Sequence, residues 1–171
     1  IVQALAAGDE HYISLELLYR EGLLSDKPEL FLQMHSTRVD YESMKIFKDT
    51  YLHEAAVNFF AREVLPADFD AFCAQDWVYP YAVFRALKSQ NGERSWNEWP
   101  EEQQAWITDR AYDVSHLADT IRYHQFVQYE FYRQWHALKA DINACGIEVM
   151  GDLPFYVGLD SLDVWMNRED F

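Results

Sequence analysis

Apolar residues recur at helical spacing along most of this chain. The clearest stripe follows Asp40, and its members lie three or four residues apart: Met44, Phe47, Tyr51, Ala55 and Phe59. Residues at these steps share one face of a helix, so the stripe predicts a long helix that begins at Asp40. Residues 29–65 contain no glycine or proline, and Pro66 interrupts the pattern.

Shorter helices are predicted on both sides of this stretch. Ser14 is a suitable N-cap for a helix over 15–21, and Gly22 suits its end. Two more are predicted over 68–76 and 81–88, and a compact aromatic loop follows over 95–100.

A second long stretch, residues 101–145, also lacks glycine and proline. One straight helix of that length would exceed about 60 Å, so we predict two helices, or one kinked near Ser115. His124, Gln125 and Gln128 interrupt its apolar stripe. They predict a polar contact inside the fold.

The last quarter of the chain has a different pattern of apolar residues. The short apolar run 147–150 predicts a buried strand that stops at Gly151-Asp152, and Pro154 prevents further regular pairing. A helix, a glycine turn and a strand form half of a βαβ unit, in which the strand's C-terminal end borders the ligand. One strand does not make a sheet, so its partners lie outside this chain or the strand prediction fails. The predicted class is α/β: a segment cut from a larger barrel.

Charge narrows the range of partners. The 171 residues include 29 acidic and 14 basic side chains, for a formal charge of −15. Nucleic acid and anionic membrane surfaces would be repelled, which leaves a neutral ligand or no small ligand. Aromatic residues make up 16% of the chain, and they predict either a core of large rings or stacking platforms of the kind sugars need.

Location follows from cysteine use and hydropathy. Cys73 and Cys145 lie far apart within helical patterns, and we expect reduced thiols in a cytoplasmic protein. The sequence has no apolar run of membrane-span length, and we expect no signal peptide.

Metal, phosphate and nucleophile motifs are missing from the sequence. Asp113 and His116 lie one helical turn apart, but a di-iron site needs a second such pair and further carboxylates, so a surface or capping role is favoured. There is no His-Glu-x-x-His around His53, no glycine-rich phosphate loop and no Gly-x-Ser-x-Gly. We therefore predict no metal and no cofactor.

Paired carboxylates are the chemistry that the sequence leaves open. Asp152, Asp160 and Asp163 crowd the region after the predicted strand. Catalytic pairs in barrels come from different strands, so these three do not form an obvious pair. Asp163 is expected in a helical turn capped by Asp160 or Ser161. Asp152 is predicted to bind substrate by accepting hydrogen bonds from sugar hydroxyls, and a loop-capping role is its alternative.

Several of these segments together resemble one enzyme family. The segments are 13–18, 21–24, 81–88, 96–100, 131–139 (FYRQWHALK), 146–147, 151–157 (GDLPFYV) and 160–167. Their pattern resembles the 4-α-glucanotransferases (amylomaltases) of glycoside hydrolase family 77, over nearly the whole chain. The pairing of a Phe-x-Arg-Gln-Trp helix with a Gly-Asp-Leu-Pro segment is the specific part.

The resemblance implies a (β/α)₈ TIM barrel with helical insertions that acts on α-1,4-glucans. It implies retaining double displacement through a covalent glycosyl-enzyme, without metal or cofactor. Asp152 matches a family aspartate at a barrel strand end that contacts bound sugar. The family's nucleophile and acid/base belong to later strands, beyond Phe171, so no catalytic residue is expected here and the segment alone should be inactive.

On this interpretation residues 1–171 form one partial segment of a catalytic barrel. Residues 39–143 are a helical insertion, and 144–171 are a barrel strand and its following loop. The chain departs from the family at Asp9-Glu10-His11, where relatives usually read Asn-Pro-Tyr, at 3–6, and at Tyr79-Pro80. The alternative functions are an acidic helical interaction module and a non-catalytic glucan-binding domain.

Overall fold

The computed structural model describes residues 4–28, 40–152 and 156–171. Within these ranges the chain forms seven α-helices and four short 3-10 helices, and no β-strand. The α-helices are α1 (Leu15–Arg20), α2 (Tyr41–Phe60), α3 (Ala67–Cys73), α4 (Val78–Gln90), α5 (Glu101–Asp109), α6 (Ala118–Ala144) and α7 (Leu162–Met166). The 3-10 helices are Glu10–Tyr12, Trp96–Glu98, Ser115–Leu117 and Arg168–Asp170.

Local end signals set the helix boundaries as the sequence predicts. The Ser14 hydroxyl accepts from the Leu17 backbone N–H at 3.4 Å, and Gly22 follows α1 with φ +72°. The Asp40 carboxylate accepts from the Ser43 backbone N–H at 3.2 Å and caps α2. These side chains satisfy amide groups that the first helical turn leaves without a partner.

The long stretch 101–145 is divided into two helices, which confirms that prediction. Arg110 ends α5 in the left-handed conformation, with φ 56°, and α6 begins only at Ala118 after a 3-10 turn. The 27 residues of α6 span about 40 Å. The break therefore covers residues 110–117 rather than one kink near Ser115.

The predicted strand over 147–150 is not formed in the described part of the chain. Helix α6 ends in a Schellman motif: Gly146 has φ +76°, its N–H donates to Asn143 O at 2.9 Å, and the Ile147 N–H donates to Ile142 O at 3.1 Å. The following residues are neither helical nor paired, and Ile147 and Met150 are 57% and 96% exposed. A strand needs a neighbouring backbone to satisfy its amides, and the described residues supply none. Of the expected α/β class, the described residues therefore show the helices and no strand.

Two aromatic cores flank α6. The first lies among α1, α2, α3 and α6, where Phe59, Phe69 and Phe126 pack together. The second lies among α4, α5 and α7 and is centred on the fully buried Trp165, whose ring stacks on Trp106 at a centroid distance of 6.0 Å. Large rings thus mainly build the core, as one of the two sequence interpretations expected.

The N-terminal loop, residues 4–13, lies against α6. The side-chain amide of Gln128 pairs with the Gly8 peptide in both directions, accepting from its N–H at 2.8 Å and donating to its carbonyl at 3.0 Å. The hydroxyl of Tyr132 donates to Ala6 O, one helical turn along. A Cβ on Gly8 would lie 1.9 Å from Cδ1 of Phe131, so only glycine fits this approach.

Gly8→Ala should lower the free energy of unfolding by about 1–3 kcal/mol, because the added methyl forces the Phe131 ring or the loop to move. Gly151→Ala is the matched control, since nothing lies within 4 Å of a Cβ built there. It should change stability by less than about 0.5 kcal/mol. Urea unfolding followed by tryptophan fluorescence measures both, and equal midpoints would contradict the packing described.

Candidate substrate-binding site

Asp152 lies on the exposed irregular segment 147–152 that follows α6. Within the described residues its carboxylate forms no hydrogen bond and no ion pair. No loop-capping bond is therefore seen in the described ranges, and the side chain is accessible to solvent. Its sugar-binding role stays a prediction.

Asp160, by contrast, is held firmly. One of its carboxylate oxygens forms an ion pair with the ammonium of Lys88, which lies on α4 and is only 4% exposed. The other accepts from the Trp96 backbone N–H at 3.3 Å. The Trp96 indole N–H donates to Leu159 O at 2.7 Å, so three polar contacts hold residues 159–160 against α4 and the 95–96 turn.

Asp163, on the same segment, binds the N-terminal loop. Ser161 caps α7 by accepting from the Val164 N–H at 3.3 Å, which confirms the predicted helical turn with Ser161 as its cap. The Asp163 carboxylate accepts from the Leu5 backbone N–H at 2.9 Å. This bond ties the N-terminal loop to the segment after Asp152.

Trp165 anchors α7 to the body of the molecule. Its buried ring contacts Phe84, Trp99 and Trp106, and its indole N–H donates to Gln104 O at 2.9 Å. The guanidinium of Arg168 lies 4.6 Å from the Trp96 ring centroid. Residues 159–168 thus form a platform that is packed and hydrogen-bonded against the body of the molecule, and Asp152 lies seven residues before it.

The divergent residues Asp9, Glu10 and His11 form a capped 3-10 turn. Asp9 accepts from the His11 backbone N–H at 2.9 Å, and the Lys48 ammonium donates to the carbonyls of His11 and Ile13. Burial raises the pKa of Glu10, and the nearby Arg85 only partly offsets this. The Asp9 and Lys48 hydrogen bonds thus stabilise this turn, whereas burial of the Glu10 carboxylate opposes it.

Of the three polar residues that interrupt the apolar stripe of α6, two are buried inside the fold. Gln128 is buried and pairs with Gly8, which confirms the expected internal polar contact. His124 is buried as well, and burial with Arg85 nearby holds its pKa well below the usual range, so the ring is neutral. Gln125 is half-buried and lines a shallow groove.

The remaining candidates have structural or surface roles. Asp113 accepts from the Ser115 backbone N–H at 2.9 Å, and this bond lowers the pKa of the carboxyl, as expected for a capping residue. In the described ranges no group of three or more His, Cys, Asp or Glu residues is arranged to hold a metal ion. Cys73 and Cys145 have free thiols.

A groove of about 360 Å³ lies between α2 and the start of α6. Its aromatic walls already have partners within the chain. The Tyr123 ring stacks on His53 at 4.0 Å, and the guanidinium of Arg122 lies 4.2 Å from the Phe60 ring centroid.

Sequence reasoning missed Lys88 and its pairing with Asp160. The available signal was the position of Lys88 on α4, where Tyr81, Phe84 and Leu87 form the buried face. A lysine continuing such a face requires a buried counter-charge. Its partner lies 72 residues away, however, and no local pattern names it.

Comparison with known proteins identifies the family. The family model described as 4-alpha-glucanotransferase matches residues 3–171. The chain therefore belongs to the 4-α-glucanotransferase family, which confirms the resemblance noted in its motifs.

Individual relatives agree. The 4-alpha-glucanotransferase of Synechocystis sp. is 36% identical over 168 residues, covering 93% of this chain and 33% of the relative. That of Thermus thermophilus is 35% identical over 175 residues, covering 96% and 33%. The amylomaltase from Streptococcus agalactiae, solved in complex with acarbose, superposes with a TM-score of 0.85 at 31% identity, covering 98% of this chain and 35% of that one. The chain thus spans about a third of the length of these relatives.

Among the described helices, none has both the length and the apolarity to cross a bilayer.

Glu10→Gln should stabilise the chain at neutral pH. The folded-state pKa of Glu10 lies above its ordinary value of 4.5, so its favourable contribution is complete below that pH and is lost as the pH rises through the raised value. A neutral glutamine avoids this loss, and the advantage of the variant should grow between pH 4.5 and 7.5.

Urea unfolding at several pH values measures this effect. Glu63→Gln, at an exposed position after α2, is the control and should leave the pH profile unchanged. A variant less stable than wild type at pH 7.5 would instead show that the Glu10 charge is favourably paired with Arg85.

Proposed function

We propose that this chain is one part of a larger 4-α-glucanotransferase that moves α-1,4-glucan segments onto acceptor glucans. The observation that carries the proposal is the family match over 3–171, together with the TM-score of 0.85 to an amylomaltase. The acarbose bound in that relative supports a glucan-type ligand, such as a maltodextrin, for this protein.

In the complete protein we propose that residues 147–150 join a parallel barrel sheet whose other strands come from outside this chain. Residues 39–143 would then be a helical insertion, and 144–171 a barrel strand with its following loop. Support comes from the apolar side chains left exposed around this segment: Ile147, Val149, Met150, Tyr156 and Leu159. Unpaired backbone next to such side chains is what a strand without its neighbours presents.

The proposed chemistry is retaining double displacement. Such enzymes need a carboxylate nucleophile and a carboxylic acid/base about 5–5.5 Å apart, and no metal or organic cofactor. Asp160 and Asp163 are engaged by Lys88 and the Leu5 amide, so neither is free to act as nucleophile. We therefore assign the catalytic pair to residues outside this chain, and we assign Asp152 to binding the hydroxyls of a bound sugar.

The alternatives are an acidic helical interaction module and a non-catalytic glucan-binding domain. Family membership over nearly the whole chain disfavours both. A cytoplasmic location also belongs to this proposal, and the two free thiols support it, because unpaired cysteines are typical of reducing compartments.

The 171-residue chain alone should not catalyse transfer, because the proposed catalytic carboxylates are missing from it. Incubation with maltotriose, followed by chromatography of the sugars, should show neither glucose nor longer maltodextrins. The complete protein is the positive control and should form both. Conversion by the chain alone would overturn the assignment of the catalytic pair.

Asp152→Ala in the complete protein should lower kcat/KM for maltotriose by roughly 10- to 100-fold, the effect of losing hydrogen bonds to a charged group. The far-UV circular dichroism spectrum and the urea midpoint should not change, since Asp152 is exposed and forms no hydrogen bond or ion pair with the described residues. Asp76→Ala, at another exposed aspartate, should leave activity unchanged. Full activity of Asp152→Ala would remove Asp152 from the sugar site without contradicting the family function.

A further inference from the structure

Lys88 carries a charge into the interior of the fold. Its side chain is 5% exposed, and its ammonium lies 6.0 Å from the Phe84 ring centroid. A buried ammonium without a counter-charge is strongly unfavourable, so a carboxylate must approach it closely. Because Lys88 projects from the rigid helix α4, the position of that carboxylate is set by the body of the molecule.

Asp160 supplies this carboxylate, and it cannot move without breaking other contacts. The Lys88 ammonium also donates to Arg94 O at 3.3 Å, while the second Asp160 oxygen accepts from the Trp96 backbone N–H. The Lys88 ammonium thus contacts both Asp160 and the 94–96 turn. The Asp160 side chain remains 36% exposed, so it lies at the edge of this interior rather than deep within it.

The ion pair between Asp160 and Lys88 lies close in sequence to the proposed sugar-binding residue. Asp160 follows Asp152 by eight residues. On the other side of Asp152, the Schellman motif at Gly146 fixes the end of α6. Between Gly146 and Asp152 the described residues are exposed, and their one described hydrogen bond is that of the Ile147 N–H within this motif. The described polar contacts nearest to Asp152 are therefore this motif on one side and those of Leu159 and Asp160 on the other.

The same platform also holds the N-terminal loop. Asp163, on α7 shortly after Asp160, accepts from the Leu5 backbone N–H at 2.9 Å. An anchor at Asp160 therefore orients two chain segments, 4–13 and the one that carries Asp152.

We propose that Asp160 is a positioning residue for the sugar site. Through its ion pair with Lys88 it fixes the far end of the segment that carries Asp152, and so places the Asp152 carboxylate against bound glucan. The inference rests on the proposed function and deepens it: Asp160 acts through Asp152 and does not itself touch the substrate.

A double-mutant cycle in the complete protein tests this role. Asp160→Asn should raise KM for maltotriose roughly tenfold or more with kcat nearly unchanged, because a displaced Asp152 loses binding that is equal in ground and transition states. Asp152→Ala/Asp160→Asn should be no worse than Asp152→Ala alone, since Asp160 then has nothing left to position. Fully additive losses in kcat/KM would overturn the inference.

A second variant separates positioning from stability. The double variant Lys88→Met/Asp160→Asn removes both charges. The urea midpoint, which Asp160→Asn alone lowers, should therefore return most of the way to the wild-type value. The raised KM should persist, because the tie to α4 is still missing. A KM that recovers together with stability would reduce Asp160 to a purely structural role and contradict the proposal.

Glu16→Gln, which breaks an exposed ion pair with Arg20, is the matched control and should leave both KM and stability near wild type. Wild-type turnover of maltotriose is measured first. An inactive complete protein would overturn the proposed function and this inference with it. An active protein with additive losses would overturn the inference alone.

Discussion

The structure depends on how the buried face of α6 satisfies its own polar groups. Gln128 and Glu130 are each 1% exposed, and neither can remain without a partner in an apolar interior. Gln128 pairs with the Gly8 peptide, and Glu130 pairs with Arg133, which also reaches Glu21 beyond α1. Each pairing fixes a piece of the N-terminal region on α6. Burial raises the pKa of Glu130, and the Arg133 guanidinium opposes this effect.

Sequence patterns predicted the features that short-range physics controls. The Ser14 cap, the start of the long helix at Asp40, the division of 101–145 and the Ser161 turn each follow from residues within a few positions of each other. Long-range partners could not be predicted in this way. The tie between Asp163 and Leu5 joins residues 158 apart, and nothing in either local sequence specifies the other. Burial of Gln128 was predictable from its place in an apolar stripe, but its partner was not.

The unformed strand shows a different limit. Alternation and β-branched content describe the environment that a segment is suited to, and that environment need not lie within the chain. Residues 147–150 have the composition of a buried strand, yet the described residues leave them exposed. The last third of α6 is also largely exposed, from His136 onward, although Leu138 continues its apolar stripe. Both exposed surfaces agree with our proposal that this chain is one part of a larger 4-α-glucanotransferase, and the chain spans about a third of its relatives' length.

Three aspartates within twelve residues have three different physical situations, and this difference separates their functions. Asp160 neutralises a buried ammonium, and Asp163 accepts from a backbone amide. Asp152 is exposed and forms no hydrogen bond or ion pair with the described residues. A carboxylate that already has protein partners is unavailable to sugar hydroxyls, whereas an exposed one keeps its acceptor capacity. The two engaged aspartates hold residues 159–163 against the body of the molecule. In the proposed function, the third aspartate supplies the carboxylate that accepts hydrogen bonds from the glucan.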